Sequence, residues 1–134
     1  MDILTYEYLK EGLKDYNEQS GKPRGNVIVS YATENTTYPH TVFQEIRNVG
    51  TNFNSDFERV ASVGYSVRIY AKTKGKIDKQ TIAREIAQMV DNYMRYFKLT
   101  RVSFNANESL NDDSIFEIIM TYSGNLHENR RRFI

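Results

Sequence analysis

Between Val63 and Tyr96 the spacing of the apolar residues changes from two to about 3.6 within a few positions. That change requires a strand followed at once by a helix. Tyr65, Val67, Ile69 and Ala71 fall on one strand face, and Ser66, Arg68, Tyr70 and Lys72 on the other. Lys74-Gly75-Lys76 breaks the strand. Ile82, Ile86, Met89, Val90, Tyr93 and Phe97 then form one helical stripe. Asp78 is the predicted N-cap of this helix, with Ile77 and Ile82 placed as a hydrophobic staple. A strand and a helix joined by so short a turn must lay their apolar faces on one shared core.

The flanking sequence supplies the partners of this unit. Ile3, Tyr6, Leu9, Leu13 and Tyr16 predict a helix over 2–18, capped by Asp2 and ended by Ser20-Gly21-Lys22-Pro23. Val27, Val29 and Tyr31 alternate as a strand, and Val42, Phe43 and Ile46 mark another over 40–48. The polar stretch Asn48 to Asp56 has no period and is expected to be an exposed loop. The strand over 58–72 is long enough to arch beyond the sheet or to carry a bulge near Gly64. Val102, Phe104 and Ala106 predict a strand over 101–107. Phe116, Ile118, Met120 and Tyr122, with Ile115 and Ile119 opposite, predict a central strand over 113–123. Asn111-Asp112-Asp113 between these two is a hairpin turn, so the pair is antiparallel. The predicted order is α-β-β-β-α-β-β. It implies an α+β fold: a mainly antiparallel sheet with both helices packed on one face. Residues 1–125 form a single domain, followed by a basic tail over 126–134.

Composition narrows the functional classes. Eighteen Lys and Arg against 17 Asp and Glu give no global field of the kind a general nucleic-acid binder carries. The absence of cysteine excludes disulfides, thiolate metal sites and cysteine nucleophiles. No apolar run reaches the roughly 20 residues that span a bilayer. Met1-Asp2-Ile3-Leu4 has neither the basic region nor the cleavage site of a signal peptide. Ten tyrosines with no tryptophan fit either a protein interface, where amphipathic aromatics concentrate, or a compositional bias.

No catalytic or ligand-binding motif survives inspection, so the chain is expected not to be an enzyme and to carry no cofactor or metal. His40 and His127 lie far apart, and neither has metal-ligand spacing. There is no GxSxG, P-loop or GxGxxG. Asp112-Asp113 is a solvated turn, and Glu7 and Glu11 are ordinary helix-surface residues. Lys72, Lys74 and Lys76 either protect a turn or touch an acidic neighbour or phosphate. The residues left for contact work are of three kinds. Arg68, Tyr70 and Lys72 share the strand face turned from the core. Phe53 and Phe57 are apolar residues in and beside the polar loop. Arg130, Arg131 and Arg132 run into Phe133 and Ile134 at the end of the tail. Either this tail docks, since arginine suits interface ion pairs and the final Phe-Ile pair suits a neighbour's groove, or it is a frayed end.

The order of these segments resembles the tail terminator and tail-completion proteins of long-tailed bacteriophages, a group that includes small head-tail joining or minor capsid proteins. The likeness rests on the N-terminal helix Ile3 to Tyr16 and on Tyr38-Pro39-His40-Thr41-Val42-Phe43 with Glu45 and Asn48. It continues through Tyr65-Ser66-Val67-Arg68-Ile69-Tyr70-Ala71, the helix from Ile82 to Asp91, and the closing strand Phe116 to Gly124. Glu117 and Ile118 depart from it, standing where an arginine is common. The resemblance covers most of residues 2–125. It implies a virion protein of the phage neck, assembled in the host cytoplasm into a homo-oligomeric ring, usually a hexamer. Such a ring caps the tail tube protein, meets the head-completion or connector protein, and lets DNA pass through its lumen without sequence-specific binding. No membrane is involved. A head-completion or stopper protein on the portal side is the alternative within the neck; a small cellular enzyme or ligand-binding domain is the alternative outside it.

Overall fold

A computed structural model describes residues 3–19, 26–28, 38–53, 59–108, 114–127 and 132–133. The elements are α1 (Ile3–Gln19), β1 (Asn26–Ile28), β2 (His40–Phe53), β3 (Arg59–Lys72), α2 (Lys79–Tyr96), β4 (Thr100–Glu108), β5 (Ile115–His127) and β6 (Arg132–Phe133). The fold is α+β, as the sequence predicts, with the helices packed against a sheet of order β1-β2-β3-β5-β4. β2, β3, β5 and β4 are antiparallel neighbours, and β1 adds a short parallel edge on β2.

β3 sits in the middle because one of its faces is apolar without interruption. Ala61, Val63, Tyr65, Val67, Ile69 and Ala71 are all fully buried. β5 lies beside it and buries Phe116, Ile118, Met120, Tyr122 and Leu126 in the same layer. α2 covers both strands with Ile82, Ala83, Ile86, Ala87, Val90, Tyr93 and Met94. Complete burial of one such aliphatic side chain is worth about 1.5–3 kcal/mol, so this layer dominates the stability.

The turn into α2 has the expected chemistry. Lys74 and Ile77 exchange two backbone hydrogen bonds of 3.0 Å. Gly75 takes φ +62°, the positive angle that a two-residue hairpin turn needs at this position. Asp78 is extended (φ −67°, ψ 145°) and its carboxylate accepts the Gln80 N–H at 3.1 Å. Ile77 stays about half exposed, so the staple is a weak one. The exit of α2 is a Schellman turn: Leu99 N–H reaches Met94 C=O at 3.1 Å and Lys98 N–H reaches Arg95 C=O at 2.9 Å. Lys98 holds φ +62°, where glycine is the usual occupant.

α1 docks on α2 through Leu9, Leu13 and aromatic contacts. Tyr93 donates its hydroxyl proton to the Leu9 carbonyl at 2.9 Å, in the space left by Gly12. A Cβ on Gly12 would strike that hydroxyl. Tyr16 leans on Tyr93 and Tyr8 meets Phe97 edge-on.

Three expectations need correction. Residues 48–53 are strand and not loop: β2 runs to Phe53, and backbone pairing with β3 outweighs the turn-forming composition of Asn48, Gly50 and Asn52. Residues 54–58 lie outside the described residues. Val102 does not join Phe104 and Ala106 on the core face. A register shift between Arg101 and Ser103 turns it outward, 65% exposed. Third, the expected boundary before residue 126 falls inside β5, which continues through His127, and β6 returns to pair Phe133 with Leu126 and Arg132 with His127. The bulge expected near Gly64 exists, but in β2: the register slips between Glu45 and Arg47, opposite Tyr65 and Gly64.

Two mutations test this architecture by urea denaturation. Ile86→Ala removes a fully buried side chain and is expected to cost about 2–5 kcal/mol, whereas the exposed Arg84→Ala stays within about 0.5 kcal/mol of wild type. Lys98→Gly relieves the left-handed position at the end of α2 and is expected to stabilise by up to about 1 kcal/mol.

Candidate functional site

The sheet face turned away from α2 gathers the residues that sequence reasoning singled out on β3. Strand register places its side chains in rows across the sheet. His40, Tyr70, Glu117 and Asn107 make one row; Val42, Arg68, Ile119 and Asn105 make the next; Gln44, Ser66, Thr121 and Ser103 follow. Beyond them come Arg47, Gly64, Ser123 and Thr100. The face is thus divided. Its end nearest the Lys74–Ile77 turn is aromatic and charged, and its far end is small and polar.

The aromatic end is tightly built. The His40 ring lies between Tyr38 and Tyr70, with centroids 4.9 Å away on each side. Lys72 Nζ sits 4.6 Å from the Tyr38 ring centre, a cation on an aromatic face. Glu117 stands directly opposite Tyr70 on β5, and Arg68 lies two residues before it on the same face. Burial pushes the Tyr70 hydroxyl above its ordinary value of 10.0; Arg68 pulls it back and Glu117 pushes it further up. The phenol is therefore neutral at physiological pH and stands beside both a cation and an anion. His40 and Val42 are buried and Arg68, Tyr70 and Lys72 are half-buried. This end of the face is enclosed more than a simple solvated face would be.

The other singled-out residues do not gather here. Phe53 is the last residue of β2, paired with Arg59. Arg132 and Phe133 form β6. Phe57, Arg130, Arg131 and Ile134 lie outside the described residues.

Sequence reasoning missed Glu117, His40 and Tyr38 as members of this cluster, because only the β2–β3–β5 register brings them beside Tyr70. It also missed a buried polar group on the core side. Asp91 accepts the Tyr122 hydroxyl at 3.0 Å and pairs with Arg95 at 3.0 Å and Arg101 at 3.7 Å. A signal for it was present: an aspartate inside the apolar stripe of α2, one turn before an arginine. Burial first, and the Asp91 hydrogen bond second, push the Tyr122 hydroxyl well above the usual tyrosine range. This group ties α2 to β5 and β4. Its arginines consume the charge of the carboxylate, and the arrangement is structural.

Among the described residues no three His, Asp or Glu side chains cluster as metal ligands, and no helix is long and apolar enough to cross a membrane. No family model matches the chain, and no characterised protein matches it significantly.

Glu45 gives a pH test of the strand register. It faces the core layer opposite Tyr65, and its Oε2 is buried and accepts no hydrogen bond from the described residues. Burial raises its carboxyl above the ordinary 4.5. A raised folded-state value means that the contribution of this group is fully present below 4.5 and is lost as pH climbs through the folded value. Glu45→Gln, permanently neutral, is expected to melt higher than wild type at neutral pH. That advantage disappears in thermal melts below pH 4.5.

Proposed function

We propose that this chain is a structural subunit of a phage neck: a tail terminator that forms a ring on the tail tube and presents a surface to the head connector. The observation that supports the reading is the placement of the resembling segments. Tyr38-Pro39 immediately precedes β2, Tyr65–Ala71 lies in the central strand β3, and Phe116–Gly124 lies in β5. All three thus lie in or directly beside the strands whose helix-free side carries the His40, Tyr70 and Glu117 row.

The physics agrees with an assembly role. A sheet face with tyrosine and arginine side chains at one end carries residue types enriched in contact surfaces. A formal net charge of +1 keeps repulsion between identical copies small. Ring closure needs a heterologous contact between two different surfaces of one subunit.

The test is co-expression with the tail tube protein of the same phage, with electron microscopy of the products. Tubes capped by a ring of this subunit are expected, with Lys72→Glu reducing capping while its melting temperature stays within a few degrees of wild type. A subunit that never joins a tube or tail-like particle refutes the reading. Density for it on the portal side of the neck would assign the stopper role instead.

A further inference from the structure

The outer edge of β4 is an open strand edge, with a bulge near one end. It pairs with β5 on one side and has no strand on the other among the described residues. Edge strands normally carry lysine, proline or inward-pointing charges that prevent pairing with a second chain. Beyond the bulge at Val102, β4 has none of these from Ser103 to Asn107: the sequence is Ser-Phe-Asn-Ala-Asn. Its two charges stand at its ends. Arg101 pairs with Asp91 at 3.7 Å and Glu108 with Lys79 at 3.3 Å, yet both remain substantially exposed, at 43% and 56%. Val102 is 65% exposed beside them.

We propose that β4 pairs antiparallel with β4 of a second copy about a two-fold axis through Asn105. The register follows from the pleat. Residues directly opposite each other must share a face, which permits Asn105 opposite Asn105, Phe104 opposite Ala106 and Ser103 opposite Asn107. The Arg101/Ser103 register shift then brings Arg101 opposite Glu108 of the other copy, and the same again at the other end. Slipping the register by two in either direction keeps the faces matched but loses both charge pairs. Each end of the interface thus becomes a chain of alternating charges, Lys79, Glu108, the second copy's Arg101 and its Asp91. Opposite charges directly across a strand pair favour that register, and like charges would oppose it. The contact is isologous and closes on itself. It belongs to the free subunit, and a ring would use other surfaces.

The absence of cysteine makes the test direct. Asn105 is exposed, and Asn105→Cys places two thiols across the two-fold axis, within the Cα separation a disulfide requires. Under mild oxidation it is expected to shift wholly to the mass of two subunits. The control Arg84→Cys on the exposed face of α2 stays one subunit. Ser103→Cys mixed with Asn107→Cys cross-links, and neither does so alone. Without cysteines, sedimentation of wild type is expected to move from one to two subunits with rising concentration. Asn105→Lys, an exposed change that leaves the melting temperature unaltered, stays at one. A wild type that remains monomeric, an Asn105→Lys that still pairs, or an Asn105→Cys that links no faster than Arg84→Cys overturns the proposal. Tube capping is expected to be unchanged in Asn105→Lys, so loss of this pairing and loss of the neck function are read separately.

Discussion

Every other element is positioned by the way β3 is enclosed. It is hydrogen-bonded along nearly its whole length to β2 on one side and β5 on the other. Six alternate residues of its core face are removed from water. A strand in that position cannot slip by one residue without moving Arg68, Tyr70 and Lys72 into the core and Tyr65, Val67 and Ile69 out of it. The register is therefore fixed by hydrophobic burial. The polar rows on the opposite face inherit their geometry from it. The stacking of His40 on Tyr70 follows from a register set by residues on the other side of the sheet.

The core layer is apolar, but its alignment with the helices depends on a few hydrogen bonds. Tyr93 reaches the Leu9 carbonyl across the α1–α2 contact, and Tyr122 reaches Asp91 across the α2–β5 contact. Hydrophobic packing is non-directional and would tolerate a helix rotated or shifted along its axis. A buried hydroxyl without an acceptor costs about 1–3 kcal/mol, so each of these bonds disfavours the shifted arrangements. Gly12 and Gly124 serve the same end sterically. A side chain at either would meet Tyr93 or Leu99 respectively. The sheet thus sets where the core is, and the hydroxyl contacts set how the helices lie upon it.

The parts of this fold that were legible in the sequence are those set by local periodicity. The stripe of α2, the Asp78 cap, the apolar face of β3 and the double-faced β5 each announce themselves within about 15 residues. What was not legible depends on pairing between distant segments. Asn48, Gly50, Thr51 and Asn52 have the composition of a loop, and only the opposing segment Arg59–Val63 makes them a ribbon. Val102 follows the alternation of Phe104 and Ala106, and only the bulge removes it. The candidate surface divides in the same way. Arg68, Tyr70 and Lys72 share a face by simple alternation, while Glu117, His40 and Tyr38 join them through a register that no single segment encodes. Asp91 lies between these cases, since its position in an apolar stripe was visible but its partners Tyr122 and Arg101 were not.

The split character of the helix-free face bears on what it can dock. A surface of long, freely rotating lysines and glutamates loses side-chain entropy when a partner immobilises it, at about 0.5–1.5 kcal/mol for each such residue. The aromatic end of this face has already met that cost. The His40 ring packs against both Tyr38 and Tyr70, and Lys72 lies over Tyr38. At the other end Ser62, Gly64, Ser66, Thr121 and Ser123 have little side-chain freedom to lose, beside the longer Gln44 and Arg47. A face ordered before contact favours association with another rigid body of matching shape over capture of a flexible peptide, which would gain less from the pre-ordering than it loses in its own freedom. Repeated subunits of an assembly are rigid bodies of that kind. This is the physical sense in which the pre-ordered face of a small α+β domain is suited to docking a rigid partner.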